Sequence, residues 1–393
     1  MKYIDIIPPQ LDEVMKTQAE WAEVKTKSST PINATIGVIL DPISGKVFQP
    51  NIVTEAIRNA IQQIEVDGDR GYQTQQGNSS YLKSLAEWVI GSHSPSWPQA
   101  QSLGGTGALH IANDLLSSTA AIKKLLVDPG WDNHDAIFSD FEINKYRRSS
   151  DNHPGYNHQE FIEALNKLPE NSAVVMQAVG YNNDGAERSN EHWDEIVELI
   201  GTKGYLAVLD VAYFGLSSSF EQDNYAVRAF ANSSIPSLVA ISNSKNLGLY
   251  QERLGALYAL NIPETLAKSW QAVINVIVRN HYSNPPRMIA QAAASILGNS
   301  ELRQQLEAEV SALRQSLLLA NRTVFAEILG SDFQWVSDTR GLFVKLFVEG
   351  FSEDQRDNLK SQGILVLPSS RINLGGIKPT DMTKFARAIK QEL

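Results

Sequence analysis

The sequence predicts an α/β protein: a large domain built on a mostly parallel, mixed sheet flanked by helices, joined to a smaller α+β domain. Three observations predict it. Short apolar runs alternate with helical patterns through the middle of the chain. After Asn299 the texture changes to one long amphipathic pattern and shorter strand patterns. And 393 residues is long for one core and natural for two.

The runs "AIKKLLVDPGW" (121–131), "SAVVMQAVG" (172–180), "YLAVLDVAYFG" (205–215) and "SLVAISNSK" (237–245) are rich in Val, Ile and Leu. Their length and branching predict buried strands. Between them, Trp193, Ile196, Val197 and Ile200 recur at helical spacing, with Gly201 or Gly204 to end the helix. Strand–helix alternation of this kind predicts a parallel sheet covered on both faces. The segment 300–330 reads as one long helix with Leu302, Leu306, Val310, Leu313 and Leu317 on a stripe. Strand patterns follow at 341–348 and 363–368, then a terminal helix with Met382, Phe385, Ala386 and Ile389 on one face. The first 45 residues lack the alternation and are expected to pack with the C-terminal part. The expected division is a large domain over 46–310 and a small one combining 1–45 with 311–393.

The formal charge is −10 and the pI about 5.3. Acidity without a Lys/Arg cluster argues against nucleic acid or an anionic membrane as partner. The chain has no cysteine, which excludes disulfides and thiol catalysis. A proline pair arrives too early in "MKYIDIIPPQ" for a signal peptide, and no apolar run is long enough for a membrane span. The expected location is the cytoplasm.

Four places carry chemistry. In "ISNSKNLGLYQERLGAL", Lys245 stands among serines and asparagines after an apolar strand pattern. A lysine desolvated in such a position is a nucleophilic amine and forms Schiff bases with carbonyl compounds. In "SLGGTGALHIANDLL", a strand pattern runs through Gly104, Gly105, Thr106 and Gly107 into a helix, a ready phosphate site. It is neither a Walker loop nor a dinucleotide fingerprint. Asp210 follows four apolar residues near the end of a central strand, where a carboxylate needs a cation. Arg371 in "SRINLGGI" offers a planar fork for a carboxylate. Taken singly, each also fits a plainer role: a strand-end lysine, a helix-capping turn, a strand-capping Asp, a loop arginine. Together and in this order they supply a phosphate anchor, a partner for a ring nitrogen, an imine-forming lysine and a substrate clamp. That set is what a pyridoxal phosphate enzyme requires. His153 and His158 stand apart from other ligand types, and no metal site is expected.

The run "SNSKNLGLYQERLGAL" (242–257) resembles the signature of the aspartate/aromatic subgroup of fold type I, pyridoxal-phosphate-dependent aminotransferases. "GGTGAL" (104–109), "PGWDNHDAIF" (129–138), "LDVAYFG" (209–215) and "RNHYSNPP" (279–286) match in order. The resemblance runs from about Asn33 to the C-terminus. It implies the aspartate aminotransferase-like fold and transfer of an amino group between an L-amino acid and a 2-oxo acid. It also implies roles. Lys245 would hold the cofactor covalently and move the proton, and Asp210 would keep the pyridine nitrogen protonated, with His134 behind it. Tyr213 and Asn182 would bond the phenolic oxygen, and Trp131 would stack on the ring. Gly105, Thr106, Ser242, Ser244 and Arg253 would surround the phosphate. Arg371 would bind the α-carboxylate, with Gly37 at the same end. Tyr72 and Arg279 would cross a homodimer interface, Tyr72 to the phosphate and Arg279 to a dicarboxylate side chain.

The sequence departs from the subgroup at four positions. Asn183-Asp184 replaces the usual Pro-Thr after Asn182, which predicts a trans bond there and a shifted loop, and leaves the Asn182 contact open. Ile39 replaces a tyrosine and His110 an arginine, changes expected at the mouth of the site. A lyase or decarboxylase on the same scaffold is the alternative reaction, since fold does not fix reaction type. A non-catalytic, cofactor-binding regulator is a further reading, disfavoured by the lack of a basic patch.

Overall fold

The computed structural model describes residues 13–68, 70–119, 121–149 and 154–393. Its centre is a seven-stranded sheet in the order β2-β8-β7-β6-β5-β3-β4. The strands are β2 (Gln99–Leu103), β3 (Lys124–Val127), β4 (Glu142–Asn144), β5 (Ser172–Gln177), β6 (Leu206–Val211), β7 (Ser237–Ser242) and β8 (Leu254–Leu260). β4, β3, β5, β6 and β7 pair in parallel, and β8 is antiparallel to both of its neighbours.

β5 to β8 are buried along their whole length, because helices cover both faces of the sheet. Alternate residues feed two cores, as the two-residue period of a strand requires. Val174, Met176, Ala207 and Leu209 face one core, with Trp193, Ile196 and Ile200 of the helix Asn190–Lys203. Ala173, Val175, Leu206 and Val208 face the other, with Ala108, Ile111, Ala112 and Leu115 of the helix Gly104–Ser117. Of the two glycines that could end the helix Asn190–Lys203, Gly204 does so at φ 68°.

β1 (Ile32–Asn33) pairs in parallel with β10 (Ile364–Leu365), and β9 (Phe343–Lys345) antiparallel with β11 (Arg371–Asn373). Ile32 thus shares a third core with Phe325, Phe385 and Ile389. The N-terminal segment is also fastened by charge: Glu13 accepts from the amide and hydroxyl of Ser369, and Glu20 pairs with Arg356 and Lys360.

Two local expectations are corrected. The segment 300–330 is not uniformly α-helical: α-helix over Ser300–Leu313 passes through a π-helical stretch, Arg314–Leu319, before α-helix resumes over Ala320–Leu329. The wider turns shift the phase of the buried face. They begin at Arg314, itself buried and bonded to the carbonyl of Gly215 at 2.6 Å. Lys245 also does not end a strand. β7 stops at Ser242, whose hydroxyl accepts from the Ser244 amide, and Lys245 opens a turn closed by Gly248.

Candidate active site

The C-terminal ends of β5, β6 and β7 meet the start of the helix Gly104–Ser117 around a cavity of about 290 Å³. Open parallel sheets bind ligands at this edge, where loops diverge to opposite faces. Register sets the floor. Gln177, the last residue of β5, lies opposite Asp210 of β6. Asp210 is 3% exposed, bonded to His134 Nε2 at 3.1 Å and Gln177 Nε2 at 3.4 Å. His134 is itself fully buried, edge-on to Trp131, with no hydrogen-bond partner on Nδ1.

Beside this floor, Lys245 Nζ lies 4.7 Å from the ring centroid of Tyr213. The Tyr213 hydroxyl accepts from Asn182 Nδ2, and Asn182 Oδ1 accepts from Arg371 Nη1. Arg371 is also buried, over the ring of Phe343, and its Nε has no partner.

The opposite wall is a cradle of amides and polar side chains. No side chain caps the start of the helix Gly104–Ser117, whose first four amides have no intrahelical partner, and Gly105 and Thr106 of this first turn line the cavity. Arg253 Nη1 bonds Ser244 Oγ at 3.1 Å, and Ser244 Oγ meets Ser242 Oγ at 3.1 Å. A Cβ on Gly104 would stand 2.6 Å from Arg253 Nη2, and one on Gly105 2.8 Å from Ser242 Cβ. Arg253 adopts φ 55°, a left-handed conformation uncommon outside glycine.

One cavity therefore gathers Gly37, Gly105, Thr106, Trp131, Asn182, Asp210, Tyr213, Ser242, Ser244, Lys245, Arg253 and Arg371. Tyr72 and Arg279, expected to serve the neighbouring cavity, do not line this chain's own: Tyr72 is 96% exposed, and Arg279 is exposed and bonded to its own Ser283. The bond before Asn183 is trans, and Asn182 still reaches the cavity. Ile39 and His110 do not line this chain's cavity. Ile39 is in the core, with its amide on the Tyr250 hydroxyl, and His110 is exposed away from the cavity lining. His158 is not isolated either. It stacks on His192 at 3.8 Å and bonds Glu195 and Tyr156, because the helices it begins and faces bring them together. His153 lies outside the described residues, among which no group of three or more His, Asp or Glu side chains could hold a metal.

Sequence reasoning missed Gln177, Tyr250, Phe343 and Val14, all of which line the cavity. Gln177 carried a signal: it is the polar end of an apolar run, as Asp210 nearly is in the next strand. The others are apolar or aromatic and look like core.

A family model described as aminotransferase class I and II matches residues 45–389. The chain belongs to that family. It is 30% identical over 374 residues to an aromatic-amino-acid aminotransferase of Escherichia coli, covering 92% of each chain. It is 31% identical over 347 residues to an aspartate aminotransferase of Pseudomonas aeruginosa, covering 84% of this chain and 85% of that one. The solved aromatic-amino-acid aminotransferase of Burkholderia pseudomallei, covalently bound to pyridoxal phosphate, superposes with a TM-score of 0.89 at 28% identity, over 100% of this chain and 98% of that one. This aminotransferase has the aspartate aminotransferase-like fold, and its chemistry is amino-group transfer. The lyase or decarboxylase alternative is not favoured by these relatives.

Proposed function

We propose that this aminotransferase moves the amino group of an L-amino acid, aspartate, glutamate or an aromatic one, to a 2-oxo acid in a ping-pong cycle. Its cofactor is pyridoxal 5′-phosphate. The residues present fit that group at each end. Asp210 is a buried carboxylate whose one ion-pair partner among the described residues is His134, so it has room for a protonated ring nitrogen. The uncapped helix amides, Ser244 and Arg253 fit a phosphate. The unsatisfied Nε of Arg371 fits a carboxylate that the guanidinium can grip with two nitrogens. The single observation that carries the reading is that Asp210, Lys245 and Arg371 share one cavity.

When bound, the cofactor supplies a carbonyl that condenses with amines and a ring that takes up the electron pair of the α-carbon. The chain supplies the rest. Arg371 orients the substrate by its carboxylate, with Gly37 leaving space at that end. Lys245 Nζ would take the proton from the substrate α-carbon and return it to the cofactor's carbonyl carbon. Asp210, oriented by His134 and Gln177, would hold a proton on the ring nitrogen. Tyr213 and Asn182 would hydrogen-bond the phenolic oxygen, and Trp131 would stack on the ring. The protein acts as a homodimer, with Tyr72 and Arg279 serving the neighbouring cavity.

A half-reaction tests this. Purified protein is loaded with pyridoxal phosphate, each amino acid is added in turn, and the cofactor absorbance is followed. Aspartate, glutamate or an aromatic amino acid should discharge the band and yield the 2-oxo acid. Lys245→Ala should abolish multiple turnover. Release of carbon dioxide and alanine from aspartate, without 2-oxo acid, would refute the reading.

A further inference from the structure

Behind the cavity lies a buried set of charges that the reaction above does not use. Asp128 directly follows β3, Arg148 lies in the segment after β4, and Asp184 and Arg188 lie on the loop after β5. None of the four is more than 6% exposed. Arg148 grips Asp184 with Nε at 2.8 Å and Nη2 at 3.3 Å, and Nη2 also bonds the carbonyl of Ala186 at 2.6 Å. Its Nη1 reaches Asp128 at 3.4 Å. Arg188 Nη2 takes the other oxygen of Asp128 at 2.9 Å, and the Tyr146 hydroxyl donates to the first. Two cations and two anions balance. Burial pushes the Asp128 carboxyl up, but Arg188 and Arg148 outweigh it and hold it below its ordinary range.

The loop these charges fasten carries Asn182. Arg148 touches it on both flanks. Its guanidinium lies 3.6 Å from the ring centroid of Tyr181, one residue before Asn182, and its fork holds Asp184, two residues after. Asn182 itself has exacting duties, donating from Nδ2 to the Tyr213 hydroxyl and accepting on Oδ1 from Arg371, with its backbone amide donating to Gln177 Oε1 at 3.0 Å. A small rotation of the loop would break the first two together. The loop has no strand ladder to stiffen it, and Asn183 has no ring to restrict the chain.

We propose that Arg148 and Asp184 form a latch that positions Asn182, and through it Tyr213 and Arg371. The latch rests on the site reading given above. Neither residue lines the cavity, so both are positioning residues. A two-point arginine–carboxylate pair fixes orientation as well as distance. Opening it would strand a charge in the interior, so the closed arrangement is strongly preferred.

The test compares three holoenzyme variants with the parent: Arg148→Met with Asp184→Asn, Asn182→Ala, and the three changes together. The paired change removes one charge of each sign and leaves Arg188 on Asp128. Two quantities are read: the pH midpoint of the bound cofactor's absorbance, and KM against kcat for the amino donor. A hydrogen bond to the phenolic oxygen favours its ionised form. The latch variant should therefore shift the midpoint in the same direction as Asn182→Ala, by about half a unit or more. KM should rise about tenfold through Arg371, since a tenfold change is the scale of one charge-assisted hydrogen bond. The triple variant should add nothing to Asn182→Ala. If the paired change does not yield folded protein, Asp184→Asn alone should shift the midpoint in the same direction by less. Wild-type midpoint and KM in a cofactor-loaded latch variant would overturn the latch alone, as would effects that simply add in the triple variant. A parent protein that forms no coloured adduct with pyridoxal phosphate would overturn the site reading and the latch with it.

Discussion

Buried carboxylates in this protein answer to two different physical situations. Asp210 faces a cavity where a cation can be placed, and its neighbours His134 and Gln177 orient it without neutralising it. Glu187 is held mainly by hydrogen bonds, with only a weak pull from Arg148. It accepts from the Gly180 amide at 2.7 Å and the Ser217 hydroxyl at 2.6 Å. Burial pushes its carboxyl up to about 7 from 4.5; the Ser217 bond opposes this, and nearby Asp223 adds to it. A carboxyl with a raised folded-state pKa stabilises the fold fully below its unfolded value and loses that contribution as pH rises through the folded one. Glu187 should therefore cost the protein stability between about pH 4.5 and 7, by at most about 3 kcal/mol. Asp223, also raised by burial, acts in the same direction. Glu187→Gln keeps an acceptor for Gly180 and cannot ionise. Urea unfolding at pH 5 and pH 8 should show the variant gaining on the parent at the higher pH. Equal pH dependence in the two proteins would refute the assignment.

The helix Gly104–Ser117 shows how one element serves two purposes. Its apolar face packs under the sheet through Ala108, Ile111, Ala112 and Leu115, which fixes its axis. Its uncapped first turn is thereby aimed at the cavity, where the helix dipole favours an anion. Gly104 is needed at the junction for two reasons: its φ is +72°, and a side chain there would enter the guanidinium of Arg253. Gly104→Ala should lower stability by about 1–2 kcal/mol from the left-handed backbone alone. By displacing Arg253 it should also weaken pyridoxal phosphate binding about tenfold or more, a loss of about 1.4 kcal/mol. Thermal unfolding of the apoprotein and a cofactor titration separate the two effects. Unchanged cofactor affinity would show that Arg253 and the first turn do not hold the phosphate.

At the scale of the whole molecule, Tyr72 and Arg279 find no place in their own chain's cavity. Tyr72 is nearly fully exposed, an unusual position for a large aromatic side chain. The homodimer proposed above would carry both into the facing cavity, where Arg279 would favour a dicarboxylate side chain. Arg279→Ala should then raise KM for aspartate and glutamate by about 10- to 100-fold, the scale of a charge-assisted pair, and change phenylalanine little. Equal losses for both substrate classes would sink that role. Sedimentation of the purified protein should give a species of twice the chain mass.

Much of this was legible in the chain itself. The buried strands were readable because a sheet covered on both faces needs continuous apolar runs, which composition displays directly. Lys245, Asp210, Arg253, Arg371 and the glycine turn were readable because each is a polar or glycine interruption of an apolar pattern, and their order matched a known family. Folding decided what no linear pattern encodes. It brought the end of β5 level with β6, so that Gln177 serves Asp210. It joined Arg148 to Asp184 across 36 residues of chain. It put Ile39 in the core and the turn after β7 under Lys245. Sequence fixes the periodicity and chemistry of each segment, because these are local; register, burial and charge pairing depend on which distant segments meet, and only the packed tertiary structure selects them.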